Sequence, residues 1–89
     1  MARTILVVDD DPSLLELLRM RLESANFSVT TAMKEEEAVA AAQSQIFDLS
    51  IVDLKLARGN GISLMEEIHL IIPDMPVIIL TAQIGRAHV

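Results

Sequence analysis

Two apolar runs of this 89-residue chain end on carboxylates: Asp9-Asp10-Asp11 closes a run that starts at Thr4, and Asp53 closes the run Leu49–Asp53, LSIVD. A third apolar run, Met75–Thr81 (MPVIILT), ends on the hydroxyl of Thr81. In an open parallel α/β sheet, ligands sit at the carboxyl ends of the strands, so three such endings would bring Asp9, Asp10, Asp53 and Thr81 around one pocket. Taken alone, three acids at a helix start have a plainer explanation, as favourable neighbours of the helix dipole. Asp53 shifts the balance, because on a neighbouring parallel strand its carboxylate would meet Asp10 within a few ångströms. Two like charges ~4 Å apart cost about 4 kcal/mol at an effective dielectric near 20. A divalent cation relieves that repulsion, and hard carboxylate oxygens in a shallow hydrated site suit Mg²⁺ better than zinc, which prefers nitrogen and sulfur.

The elements that must position these groups can be read from local pattern. Thr4–Val8 is rich in Ile, Leu and Val without alternation, as in a strand covered on both faces. Asp11 followed by Pro12 supplies a cap and then proline at the first helical position. A helix is therefore expected from about Pro12 to Ala25, with Leu14, Leu15, Leu18 and Leu22 on the apolar side, Glu16, Arg19 and Glu23 on another, and Asn26 as the stop. Phe27–Ala32 alternates like an edge strand. Lys34–Ser44 reads as a helix with Glu35, Glu36 and Glu37 in its first turn and a thin alanine face. Leu49–Asp53 is a second buried strand, followed by a loop, Leu54–Asn60, where Gly59-Asn60-Gly61 tolerates positive φ. Ile62–Ile72 returns to helical spacing with Met65, Ile68 and Ile72 on one stripe, Pro73 ends it, and Pro76 opens a third buried strand, Val77–Thr81. The order β-α-β-α-β-α-β implies right-handed crossovers and a parallel sheet.

Composition bounds the function. The length allows one domain. Without cysteine there is neither a disulfide nor a thiolate metal site, which fits a reducing, cytoplasmic setting. The net charge of −6 and seven scattered basic residues disfavour a nucleic-acid surface. The N-terminus is too short in apolar residues for a signal peptide, and no run approaches a membrane span. With 52% hydrophobic residues but only two aromatics, the core must be aliphatic. His69 and His88 are isolated and read as surface residues. Met20, Met33, Met65 and Met75 read as gap fillers.

The ordered set VVDDDP at 7–12, VDLKL at 52–56 with GNG at 59–61, and VIILTA at 77–82 resembles the receiver domains of two-component response regulators, and the resemblance covers residues 3–82. It implies a flavodoxin-like doubly wound parallel sheet of strand order 2-1-3-4, with the alternating strand at an edge and a fifth strand missing beside Val77–Thr81. It also implies a phosphoacceptor module, not an enzyme beyond its own phosphorylation and dephosphorylation, whose Asp53 takes a phosphoryl group from a sensor histidine kinase or phosphotransfer protein. Asp10 then resembles a direct Mg²⁺ ligand, Asp9 the second acid of the pair, and the Lys55 backbone carbonyl a further ligand. Thr81 resembles the hydroxyl that bonds the phosphoryl oxygen, with Ala82 beside it. Asp11 is left as a helix cap.

The sequence departs from that family near its end. No lysine follows Lys55 and no aromatic follows Phe47, whereas family members carry both on a fifth strand; Ala57 stands where many have proline. Gln83–Val89 (QIGRAHV) does not read as a helix start and fits the translated opening of a sequencing adapter, so residues 83–89 are expected to be a non-native tail on a truncated domain. The same tail recovered from independently cloned genomic DNA would refute this. An uncovered Val77–Thr81 would then be expected to leave the chain unfolded, molten or self-associating through that edge. Two other readings remain open. In one, Asp9 and Asp11 are nucleophile and acid of a haloacid-dehalogenase-type phosphotransferase, against which stands the immediate helix at Pro12-Ser13. In the other, the fold serves as a non-phosphorylatable binding module.

Overall fold

The computed structural model describes residues 3–53 and 61–80, without the side chains of 61–63. The elements are β1 (Thr4–Val8), α1 (Pro12–Ser24), β2 (Ser28–Ala32), α2 (Glu35–Ser44), β3 (Leu49–Asp53), α3 (Gly61–Ile71) and β4 (Val77–Leu80). Among the described residues they build one four-stranded sheet of order β2-β1-β3-β4, every pair parallel. This is the strand order expected from the sequence, with the alternating strand at an edge.

Because successive side chains of a strand point to opposite faces, β1 serves two cores. Leu6 and Val8 join Val52, Ala38, Phe47, Leu64, Ile68 and Met75 on the side of α2 and α3. Ile5 and Val7 join Leu15 of α1, with Leu18, Leu22, Phe27, Leu49 and Ile51 packed around them. The alanine face of α2 is thin, as expected, and it is used: Ala38 and Ala42 are both buried.

Both ends of α1 follow from local chemistry. Asp11 is the N-cap in extended geometry with Pro12 behind it. At the other end Asn26 adopts φ 72°, and the N–H groups of Asn26 and Phe27 donate to the carbonyls of Glu23 and Leu22, both at 3.0 Å. That is a Schellman closure, in which an asparagine tolerates the left-handed turn and Phe27 packs beside Leu22. Phe27 is thereby committed to the helix end, so β2 starts at Ser28, one residue later than the alternation suggests. At α2, Lys34 is the cap residue and makes no side-chain cap bond. Glu37 Oε1 instead accepts from the Met33 N–H at 2.8 Å.

Three expectations need correction. The buried stripe of α3 is centred on Leu64 and Ile68, with Met65 only half-buried. Strand β4 has the pattern of a buried strand but is open, as expected beside a missing fifth strand: none of Val77–Leu80 is buried and Ile78 is 47% exposed, because β4 lies at the sheet edge among the described residues. His69 is not a surface residue; it is half-buried, and its Nε2 lies 3.0 Å from the Met75 carbonyl, tying the end of α3 to the approach to β4. Of the methionines, Met75 fills the core as expected, while Met20 and Met33 are exposed.

Candidate functional site

The site is assembled by the register of three parallel strands. Val8 of β1 pairs with Val52 of β3 and with Ala32 of β2, so the residues that follow Val8 and Val52 stand side by side at the carboxyl edge of the sheet. Those residues are Asp9 and Asp53. The Asp9 N–H donates to the Ala32 carbonyl at 3.0 Å, which carries the β1–β2 ladder one residue beyond the strand and fixes the Asp9 backbone. On the far side Asp53 pairs with Leu80, the last described residue of β4.

One carboxylate oxygen from each of Asp9, Asp10 and Asp53 lies within 4.8 Å of the others. Asp9 and Asp53 are 3% and 5% exposed, and Asp10 is exposed. The site is therefore a shallow basin with two acids in its floor and one on its rim. Burial pushes the Asp9 carboxyl above its ordinary value, and the charges of Asp53, Asp10 and Asp11 push it the same way. A hydrogen bond from the Asp11 N–H to Asp9 Oδ1, 2.9 Å, works in the opposite direction. Hard oxygens gathered this closely, with burial first and neighbouring charge second disfavouring the ionised Asp9, fit a hard divalent cation, because the cation offsets both and accepts oxygen ligands without demanding a closed cage.

Asp11 stands apart from this group. Its Oδ1 accepts from the N–H groups of Ser13 at 2.9 Å and Leu14 at 3.3 Å, so the carboxylate is engaged in capping α1, as expected from Asp11-Pro12. That engagement weighs against Asp11 as the general acid of a dehalogenase-type site. The hydrogen bond from Asp11 to Asp9 was not foreseen; an acid two residues before a helix cap is the sequence signal that could have suggested it. Lys55, Thr81, Ala82, His88 and the tail 83–89 lie outside the described residues.

Comparison with known proteins matches this geometry. The model of the response regulator receiver domain matches residues 5–89. The transcriptional regulatory protein GlrR of Escherichia coli is 46% identical over 78 residues, which are 88% of this chain and 18% of that protein. The alginate biosynthesis transcriptional regulatory protein AlgB of Pseudomonas aeruginosa is 40% identical over 78 residues, 88% of this chain and 17% of its own length. The chain thus spans less than a fifth of these relatives. Among solved structures, a CheY-like receiver domain protein from Methanospirillum hungatei superposes with a TM-score of 0.87 at 32% identity, covering 91% of this chain and 65% of that one. A response regulator from Burkholderia pseudomallei, solved with a phosphorylated aspartic acid and a calcium ion, has a TM-score of 0.85 at 30% identity, covering 89% of this chain and 46% of its own.

The chain belongs to the response regulator receiver domain family. Its fold is the flavodoxin-like, CheY-like parallel sheet of that family, and its class is a two-component signalling module. No helix among the described residues is long and apolar enough to cross a membrane.

Proposed function

We propose that this chain is a phosphoacceptor, with Asp53 accepting a phosphoryl group from a histidine kinase or phosphotransfer protein in the presence of Mg²⁺. The observation that carries the reading is the meeting of the Asp9, Asp10 and Asp53 carboxylates within 4.8 Å at the carboxyl ends of β1 and β3. The phosphorylated aspartic acid and calcium ion of the Burkholderia pseudomallei relative support it. Asp9, Asp10 and Asp53 would hold the cation, and the resemblance adds the Lys55 carbonyl to that set. When bound, Mg²⁺ supplies charge neutralisation for the carboxylates and for the incoming phosphoryl oxygens.

In the transfer, an Asp53 carboxylate oxygen forms a bond to phosphorus in line with the bond that breaks, and the donor's imidazole nitrogen leaves. The product is an acyl phosphate on Asp53. A carboxylate is a weak nucleophile, so the chain's contribution is position: β3 fixes Asp53 in the floor of the basin, and β1 fixes Asp9 beside it. Thr81 and Ala82 contact the phosphoryl group in this reading. The module works in the cytoplasm and touches no nucleic acid itself, in keeping with its net charge of −6. In a longer protein like the transcriptional regulators it resembles, its phosphorylation would govern an output carried elsewhere in that protein.

The test is labelling by a small phosphodonor, acetyl phosphate, with Mg²⁺ present. The wild-type chain takes label, Asp53→Asn takes none, and Asp10→Ala takes less because the cation is held more weakly. Undiminished label on Asp53→Asn would remove the assignment.

A further inference from the structure

We infer that Asp11 is a positioning residue for the acid basin, acting through its backbone and not through its charge. This rests on the receiver reading of Asp9 and Asp10 as cation-holding acids. A capping residue needs only its side chain and its carbonyl, and Asp11 uses both: Oδ1 accepts from the Ser13 and Leu14 N–H groups at 2.9 and 3.3 Å, and its carbonyl accepts from the Leu15 N–H at 3.0 Å. Pro12, directly behind it, has its φ set by the pyrrolidine ring. The peptide that enters Asp11 is therefore held against the first turn of a thirteen-residue helix. The one backbone donor left on Asp11 is its N–H, and that N–H reaches Asp9 Oδ1 at 2.9 Å.

Asp9 is thus tethered at both ends. Its own N–H is anchored on the Ala32 carbonyl of β2, and its carboxylate is held by the Asp11 N–H, which is anchored on α1. The carboxylate sits in the floor of the basin, where repulsion from Asp10 and Asp53 would otherwise turn it away. A hydrogen bond from a neutral donor to an ionised acceptor is short and strong and fixes the acceptor's direction. The Asp11 carboxylate, by contrast, is exposed and is not one of the three gathered acids. What matters to the basin is where the Asp11 N–H points, and the cap sets that direction.

The prediction separates charge from tether. Asp11→Asn removes the charge and keeps a cap of equal quality, whereas Asp11→Gly removes the same charge and the side-chain cap, while glycine is still well tolerated at that helix position. Mn²⁺ affinity of the full chain, measured by electron paramagnetic resonance titration, should be about tenfold weaker in the Gly variant than in the Asn variant, the lower end of what loss of an outer hydrogen bond to a ligand costs. In the metal-free proteins, the amide proton of residue 11 should stay far downfield in wild type and Asn and move upfield in Gly, with the α1 amides beyond Leu14 equally protected in all three. Equal Mn²⁺ affinity of the Asn and Gly variants, on a wild type that binds Mn²⁺, would overturn the positioning role alone. A wild type that takes up no Mn²⁺ would overturn the receiver reading itself.

Discussion

β1 and β4 are written in almost the same alphabet, TILVV and VIIL, and they end up in different environments. β1 has a strand on each side and a helix layer on each face, and Ile5, Leu6, Val7 and Val8 are all buried. β4 has β3 on one side, and its residues are half-buried or, at Ile78, 47% exposed. A run of aliphatic residues states what a strand can bury. Its position in the sheet decides what it does bury, and the strand that is held most firmly is the one that leads into Asp9 and Asp10.

The largest test of that contrast is a matched pair of truncations. Leu6→Ala deletes a side chain that is fully enclosed, and such changes cost roughly 2–5 kcal/mol, a large share of the ~5–15 kcal/mol that holds a whole domain together. Ile78→Ala, at a half-open position, should cost less than half as much. Urea midpoints of the two variants measure this directly, and equal losses would show β4 to be as enclosed as β1.

How much of this was legible beforehand varies with the range of the interaction that decides it. The start of α1 at Asp11-Pro12 and its stop at Asn26 are short-range chemistry and can be read directly. The meeting of Asp9, Asp10 and Asp53 is long-range, yet it follows from parallel register once two buried-type runs are seen to end in acids. On α3, Ile68 and Ile72 face the core as their spacing implies, but Leu64 and not Met65 completes the stripe, because both are apolar and only the packing chooses between them. The half-burial of His69 depends on a carbonyl six residues away, past a helix end, and no periodicity announces it. The openness of β4 follows from the absence of a lysine- and aromatic-bearing fifth strand in the sequence and not from Val77–Leu80 itself, which reads the same in either environment.

A middle-sized effect comes from β3, the strand between the two. Ser50 is completely buried on the side of the larger core, and its hydroxyl has no hydrogen-bond partner among the described residues. Ser50→Ala should therefore raise stability by about 1 kcal/mol, the desolvation cost of an unmet hydroxyl. Thermal melts that show a loss instead would place an unseen partner on that hydroxyl. Asn26→Ala, at the left-handed turn that closes α1, should go the other way by about 1 kcal/mol.

The subtlest test uses pH. The Asp9 carboxyl is raised from 3.8 by burial, and that of Glu35 from 4.5 by its hydrogen bond with Glu67 on the facing helix. In each case the folded chain holds the proton more tightly than the unfolded chain, so the metal-free protein should lose stability as pH rises from those ordinary values through the raised ones. Asp9→Asn should flatten the part of that fall owed to the basin. Melting profiles in EDTA that run parallel for wild type and Asp9→Asn would contradict the cause assigned to the Asp9 shift.

In the proposed reading, Asp53 accepts the phosphoryl group at the carboxyl ends of β1 and β3. Borohydride reduction of the chain after treatment with acetyl phosphate and Mg²⁺ converts an acyl-phosphorylated aspartate to homoserine, which peptide mass mapping can locate. Homoserine is expected at position 53 and nowhere else. Homoserine at position 9, or at no position, would contradict it.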